Sequence, residues 1–482
     1  KGNDVDYTII KSRDLTDYVL SQTIMLDPSR KFYVPDQVLE VTMAIKANDV
    51  PALGYVQYSI DTQKDSHKET ADKKVLENKY YTIEVEENGS LTIVDKANNV
   101  TYKNQGILVE NGDDGDSFNY SPPRKDMEVF SNESKCTVKI SGSDIYDQAE
   151  IHFDMVVPAD LDERAEGKVS VTMLVDMTVA LRKDSKVIDF NVKVDNKGLS
   201  HRLCVLFDSQ IVSAFNYADQ QFGLIKRPNY YEKEMKLYME SMNNKTEKKA
   251  GIQELANWAN DQSTWQEPPI SIEPTQSYVS LTDGKTGIAV IPQGVREYEV
   301  LDDSKIRLTL FRTYGFMGKE NLIYRPGRAS GERIIETPAA QLLKEMEFNF
   351  GFTSYAGDIN DSDIDTLAKQ YNTNLEVYTY AEFLNGRLIF SQREIEGQNA
   401  KIHILFETEG NLVVSAVKKA EEDDGYIIRL YNGKDHKDLD DKIKFNFDIK
   451  EAYYTNLKEE KTEEIKVENN TISVKELSHC KF

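Results

Sequence analysis

The sequence predicts a mainly β protein: a large antiparallel β-sandwich flanked by smaller β-sandwich units, with few short helices. Three observations lead there. Most readable segments alternate apolar and polar residues with a period of two, the signature of half-buried strands. Gly, Asn or Asp turn signals bound each segment, and many short strands in series build sandwiches or barrels. The 26 tyrosines and the 10% aromatic fraction suit sheets with amphipathic faces better than a disordered tail.

Along the chain, the alternation is clearest in Val38-Leu39-Glu40-Val41-Thr42-Met43-Ala44-Ile45 and in Lys168-Val169-Ser170-Val171-Thr172-Met173-Leu174-Val175. Further strands are predicted over 187–195, 201–207, 277–282, 286–291, 305–311, 346–352, 411–417 and 425–431. Apolar residues at three- and four-residue spacing predict helices over 229–243 (Tyr231, Met235, Tyr238, Met239) and 252–259 (Ile252, Leu255, Ala256, Ala259), with a third short one over 361–370. The polar stretch 61–74, DTQKDSHKETADKK, reads as a linker after a small β unit over 1–60. A softer boundary in AGDINDSDI, 356–364, separates a main sandwich over 75–355 from a C-terminal β unit over 356–482. The Lys/Glu-rich strip 456–470 reads as edge strand or loop. At 482 residues, two or three packed units are expected rather than one core.

A formal charge of −23 repels phosphate backbones and anionic headgroups, so neither nucleic acid nor a membrane is the expected partner. Neutral sugars remain compatible. No run approaches the ~20 apolar residues of a spanning helix, and KGNDVDYTII has no basic segment followed by a hydrophobic one. Lys1 stands where an initiator Met would, which leads us to expect residues upstream. Cys136, Cys204 and Cys480 are odd in number and widely spaced, which fits reduced thiols in a cytoplasm better than a disulfide framework.

The search for chemistry excludes more than it finds. The six histidines, at 67, 152, 201, 403, 436 and 479, show no HxH, HxxxH or HExxH spacing, so no metal site is read. Nucleophile-elbow and phosphate-loop patterns are absent. Two segments stand out. In Asn111-Gly112-Asp113-Asp114-Gly115-Asp116-Ser117-Phe118-Asn119-Tyr120-Ser121-Pro122-Pro123 three carboxylates precede two aromatics, and the offset of glycine and the Pro122 at position twelve rule out an EF-hand. Its plain reading is a solvated acidic turn closing onto a strand. Its functional reading has carboxylates on sugar hydroxyls and Phe118 or Tyr120 stacked on a pyranose. The second segment, 312–331, is a Gly-rich loop with Arg325 and Arg328 three apart, suited to carboxylates or sugar oxygens or else to structural ion pairs.

Together these segments resemble the glycoside hydrolase family 38 α-mannosidases, especially the bacterial branch that includes mannosylglycerate hydrolases. NGDDGDSFNYSPP at 111–123, VDNKGLSHRLCVLF at 194–207, GIAVIPQGVREYEV at 287–300, LTLFRTYGFMGKENLIYRPGRASGE at 308–332, ETPAAQ at 336–341 and LVVSAVKKAEEDDGYIIRLYN at 412–432 follow the family's order, and VPALGYVQYSI at 50–60 looks like its lead-in. Every block belongs to the part that follows the catalytic α/β domain and helical bundle. The resemblance therefore implies a galactose-mutarotase-like main sandwich in the downstream half of a retaining α-mannosidase. It implies zinc in the full-length enzyme, with the zinc ligands, nucleophile and acid/base outside this chain, so that the chain holds no catalytic and no metal residues.

What the resemblance assigns to this chain is part of the sugar subsite wall. The expected substrate-binding residues are Asp114, Asp116, Phe118, Tyr120, Arg325 and Arg328, and the expected partners are an α-mannoside and the missing catalytic domain, with a homodimer left open. Two departures count. Ser200-His201-Arg202-Leu203-Cys204 replaces the family's frequent Asp-His-Arg-Leu-Arg, which puts a structural ion pair in doubt, and Phe118-Asn119-Tyr120 replaces Tyr-Asp-Tyr, which removes one hydroxyl. The competing readings are a stand-alone carbohydrate-binding sandwich and a purely structural assembly module.

Overall fold

A computed structural model describes residues 5–23, 37–51, 53–58, 71–246, 267–325, 335–378, 403–410, 412–434 and 438–478. The helix expected over 252–259, most of the expected linker and Arg328 lie outside the described residues. The chain forms two compact units, one of Lys73–Ser141 with Asp147–Thr373, the other of Lys1–Asp72, Gly142–Tyr146 and Asn374–Phe482.

The first unit is an antiparallel β-sandwich. One sheet has six strands in the order Val129–Phe130, Ile107–Gly112, His201–Asp208, Lys305–Arg312, Glu297–Leu301, Glu273–Pro274. Facing it, a longer sheet includes Phe215–Gln220, Val279–Thr282, Thr286–Gln293, Glu345–Ala356, Ile188–Asp195, Val171–Arg182 and Tyr146–Val157 in that order. Alternation sets the inner face: in Val171–Arg182 every second residue from Met173 to Leu181 is buried while its neighbours look outward. Those side chains join Phe190 and Val192 against Leu203, Val205, Phe207, Ile306 and Leu308 of the six-stranded sheet. Phe190 meets Phe207 edge-on at 5.4 Å and stacks on Phe350 at 5.1 Å, so aromatic pairs tie the layers together. Each such side chain contributes about 1.5–3 kcal/mol by leaving water. A smaller sheet, Leu76–Glu77, Tyr81–Val85, Leu91–Asp95 and Val100–Gln105, adds Ile83, Leu91 and Ile93 to the same core.

Helices are few. Glu232–Thr246 and Ile364–Asn372 fall where periodicity predicts them, shifted by a few residues. The second buries Ile364 and Ala368 with Val187, Tyr278, Ile291 and Tyr355. The strand expected from 168 begins at Val171 and runs on to Arg182, because turn Gly167 sits in the left-handed region at φ 70° and closes the preceding helix, Leu161–Glu166.

In the second unit, Tyr7–Asp14 pairs with Leu39–Ile45 as a two-stranded ribbon. Its C-terminal part packs Phe406, Leu412, Leu439, Ile443, Ile472 and Val474 into a separate core. No helix among the described residues is long and apolar enough to cross a membrane.

Candidate functional site

The six-stranded sheet is buried on both faces. In Lys305–Arg312 six consecutive residues are buried. The face turned from the sandwich core carries Arg202, Cys204, Arg307, Thr309 and Glu299, and the loop after Gly112 covers part of it. Buried charge must be paired, and it is: Glu299 takes the Arg202 Nη2 at 2.9 Å and the Arg307 Nε at 2.8 Å. Tyr120 lies over the Arg202 guanidinium at 3.9 Å and its hydroxyl accepts from Asn111 Nδ2 at 3.1 Å. Tyr324 meets Tyr120 edge-on at 6.0 Å. Burial pushes the Tyr120 hydroxyl above its ordinary range and does the same to the Cys204 thiol, which keeps both neutral. Of the residues in the departing motif, Arg202 pairs with Glu299, whereas Ser200 and Cys204 carry no charge, and Cys204 Sγ lies 3.7 Å from Thr309 Oγ1.

A second buried cluster anchors the start of the loop. Asp160 caps the helix Leu161–Glu166 by accepting from the Asp162 and Glu163 amides at 3.0 Å each, which aims Arg164 at Glu110. His201 Nδ1 stands 3.0 Å from the same carboxylate, and its Nε2 stands 2.9 Å from Asn196 Oδ1. Gly112 passes so close that a Cβ there would come within 2.6 Å of the Arg164 side chain.

The loop itself is built by short aspartate turns. Asp113 accepts from the Gly115 amide at 2.9 Å, and Asp116 accepts from the Phe118 and Asn119 amides at 2.9 and 3.0 Å. The segment 312–325 closes on it from the next strand. Arg312 Nε donates to Asp113 Oδ2 at 2.6 Å and its Nη2 donates to the Asp116 and Asn119 carbonyls at 2.9 Å each. Lys319 donates its amide to Asp116 at 2.9 Å and its ammonium to Asp114. Arg325 donates to Asp116 and to Asn119 Oδ1. The two segments singled out in the sequence therefore form one rigid rim.

The six expected residues take different places in it. Asp116, Tyr120 and Arg325 are all buried, and the partners just given engage them. Asp114 is partly exposed beside Lys319. Phe118 is 62% exposed and projects from the rim with Met317, itself 46% exposed. Arg328 lies outside the described residues. Sequence reasoning passed over Glu110, Arg164, Glu299 and Arg307; for the last two the signal was charged residues alternating with apolar ones, as in Glu297-Tyr298-Glu299-Val300 and Lys305-Ile306-Arg307-Leu308. An open groove of about 590 Å³ beside Val129 and Phe130, lined also by Met127, Lys135, Asp154 and Val156, includes none of the six.

A large two-sheet sandwich with a loop rim tied by ion pairs defines an antiparallel β-sandwich module. Residues 76–316, half of the chain, match the model described as the "Glycosyl hydrolases family 38 C-terminal domain", and residues 411–478 match the "Glycosyl hydrolases family 38 C-terminal beta sandwich domain". The chain belongs to glycosyl hydrolase family 38. It is similar to a protein of Halalkalibacterium halodurans named "Putative mannosylglycerate hydrolase", 24% identical over 420 residues, which are 83% of this chain and 40% of that protein. It is also similar in fold to a family 38 protein from Enterococcus faecalis (TM-score 0.69, 19% identity, 98% of this chain and 51% of that one). An α-mannosidase from Enterococcus faecalis V583 gives a TM-score of 0.65 at 19% identity, over 92% of this chain and 46% of that one. The chain thus spans about half the length of these relatives, or less.

Proposed function

We propose that this chain is the β-rich region of a retaining, zinc-dependent α-mannosidase-type glycoside hydrolase, and that it completes the sugar subsite and supports a catalytic part outside the chain. The observation that carries this reading is Phe118, 62% exposed on a rim that its neighbours make rigid. An exposed aromatic on a fixed frame offers a flat apolar face to a pyranose at little entropic cost. Asp114, partly exposed beside Lys319, offers a carboxylate on the rim for a sugar hydroxyl. In this reading Asp116, Tyr120 and Arg325 position the rim rather than reach the sugar.

Retaining chemistry asks for two carboxyl groups about 5–5.5 Å apart, flanking the scissile bond. The zinc and those carboxyls belong, in our proposal, to the remainder of the enzyme. Among the described residues no three His, Cys, Asp or Glu side chains stand close enough to hold a metal ion.

The test compares this chain with the full-length protein on an aryl α-mannoside, with and without added zinc. Turnover is expected from the full-length protein alone, with the α-anomer as first product. Turnover by the chain itself, or none from the full-length protein, overturns the proposal. A stand-alone carbohydrate-binding sandwich is the second reading, favoured by a rim that is complete within one unit. Calorimetric binding of mannosides to the chain, together with an inactive full-length protein, would select it.

A further inference from the structure

The two-stranded ribbon of the second unit is sided in an unusual way. Leu39, Val41, Met43 and Ile45 point to one face of the strand Leu39–Ile45, since side chains alternate. They are 50%, 36%, 38% and 45% exposed. Tyr7 and Ile9 stand opposite Ile45 and Met43 on that same face, and Ser12 and Asp14 stand opposite Val41 and Leu39. The other face carries Glu40, paired with Arg13 at 2.9 Å, Thr42 opposite Lys11, and, at its far end, the buried Thr8 opposite Ala44. Along Leu39–Ile45 the apolar row is continuous and faces water, with Tyr7 and Ile9 beside its Ile45 end and the polar Ser12 and Asp14 beside its Leu39 end. A two-stranded ribbon alone is marginally stable and gains its stability when its apolar face is covered.

The length of the relatives indicates what covers it. This chain matches 98% of its own length within a family 38 protein of which it accounts for only 51%, so the ribbon lies inside the shared fold of a polypeptide about twice as long. We propose that the face formed by Leu39, Val41, Met43 and Ile45 is the surface on which the remainder of the full-length polypeptide packs. This rests on the reading of the chain as part of a longer hydrolase. The partner surface must be apolar toward Met43 and Ile45, where Ile9 and Tyr7 extend the row, and polar toward Leu39, where Asp14 stands opposite.

Hydrogen exchange tests the proposal on both forms. The amides of 39–45 should exchange at least about tenfold more slowly in the full-length protein than in this chain. Met43→Lys should lower the Tm of the full-length protein and leave the Tm of this chain unchanged. Thr42→Lys, on the other face of the same strand, should leave both unchanged. Equal exchange in the two forms overturns the proposal, and so does equal sensitivity to the two substitutions. Loss of Tm in this chain on Met43→Lys overturns it as well, since the row is then covered by the chain itself, and so does a dimer of this chain that Met43→Lys dissociates. These outcomes are independent of turnover: an inactive full-length protein with a protected ribbon refutes the α-mannosidase reading alone, while an active one with an unprotected ribbon refutes this inference alone.

Discussion

Asp116 accepts a hydrogen bond from the guanidinium of Arg325, 209 residues further along the chain, and the carboxylate is fully buried. That pair closes the loop 113–120 against the segment 312–325. It turns two glycine-rich stretches into a single surface.

Arg325→Ala should therefore cost about 3–5 kcal/mol of stability, because it leaves a buried carboxylate without its counter-charge. Equilibrium unfolding in urea measures it. A double-mutant cycle with Asp116→Asn should show strong coupling, the pair costing less than the sum of the two. Burial pushes the Asp116 carboxyl up, but Arg325 and the Asn119, Lys319 and Phe118 amides outweigh it and hold the carboxyl below its ordinary 3.8. Its contribution is present above that value and is lost as pH falls through the lower folded-state value. The difference between the native protein and Asp116→Asn should accordingly shrink below about pH 4.

Gly115→Ala should unseat the rim. A Cβ at Gly115 would come within 2.0 Å of the Asn119 carbonyl and 2.7 Å of Asp113 Oδ1. Backbone cannot give way as a flexible side chain does, so a loss of about 1–3 kcal/mol is the least expected. Thermal unfolding reads it, and a Tm equal to that of the native protein would show that the turn has slack.

Phe118→Ala tests the sugar platform. In the full-length enzyme it should lower kcat/KM by about 0.5–1.5 kcal/mol of transition-state binding, the range for an aromatic contact. Its 62% exposure predicts an unchanged Tm. Phe118→Trp should retain activity. Unchanged kinetics in Phe118→Ala would remove the residue from the subsite.

Asp219 offers a pH test away from the rim. Burial raises its carboxyl to about 6, only partly offset by the Ser277 hydroxyl at 2.6 Å. A raised carboxyl means that the native state holds its proton more tightly than the unfolded state, so stability falls as pH rises from about 4 through 6. Asp219→Asn should be more stable than the native protein at pH 7 by about 1–2 kcal/mol, and the gain should vanish below pH 4. Denaturation midpoints at pH 4 and 7 decide it.

Much of the fold was legible. Alternation located strands such as Ile188–Asp195 and Tyr426–Tyr431 to within a residue or so at each end. It did so because period two is a local property of the pleat. The six-stranded sheet was harder, since strands buried on both faces lose the alternation that marks a half-buried strand. Ile107–Gly112, five of whose six residues are buried, has no strand expected over it, and only its last two residues fall in the segment singled out from Asn111. At the rim, residue types were informative and their roles were not. Asp116 and Phe118 sit two apart, yet one is sealed beneath Arg325 and the other stands in water.

By itself, the sequence determined that this is a mainly β protein, expected in two or three packed units, that its least ordinary segments are 111–123 and 312–331, and that its order of motifs resembles family 38. These follow from local patterns and from order along the chain. Only the tertiary structure decided that Asp116 meets Arg325, that Glu299 holds both Arg202 and Arg307, and that Tyr120 is stacked beneath the surface on Arg202. Alternation fixes which face of a strand is apolar, but not which strand pairs with which. Pairing and register are set by the packing of side chains far apart in sequence, and they choose which polar groups are buried together and which are left for a ligand.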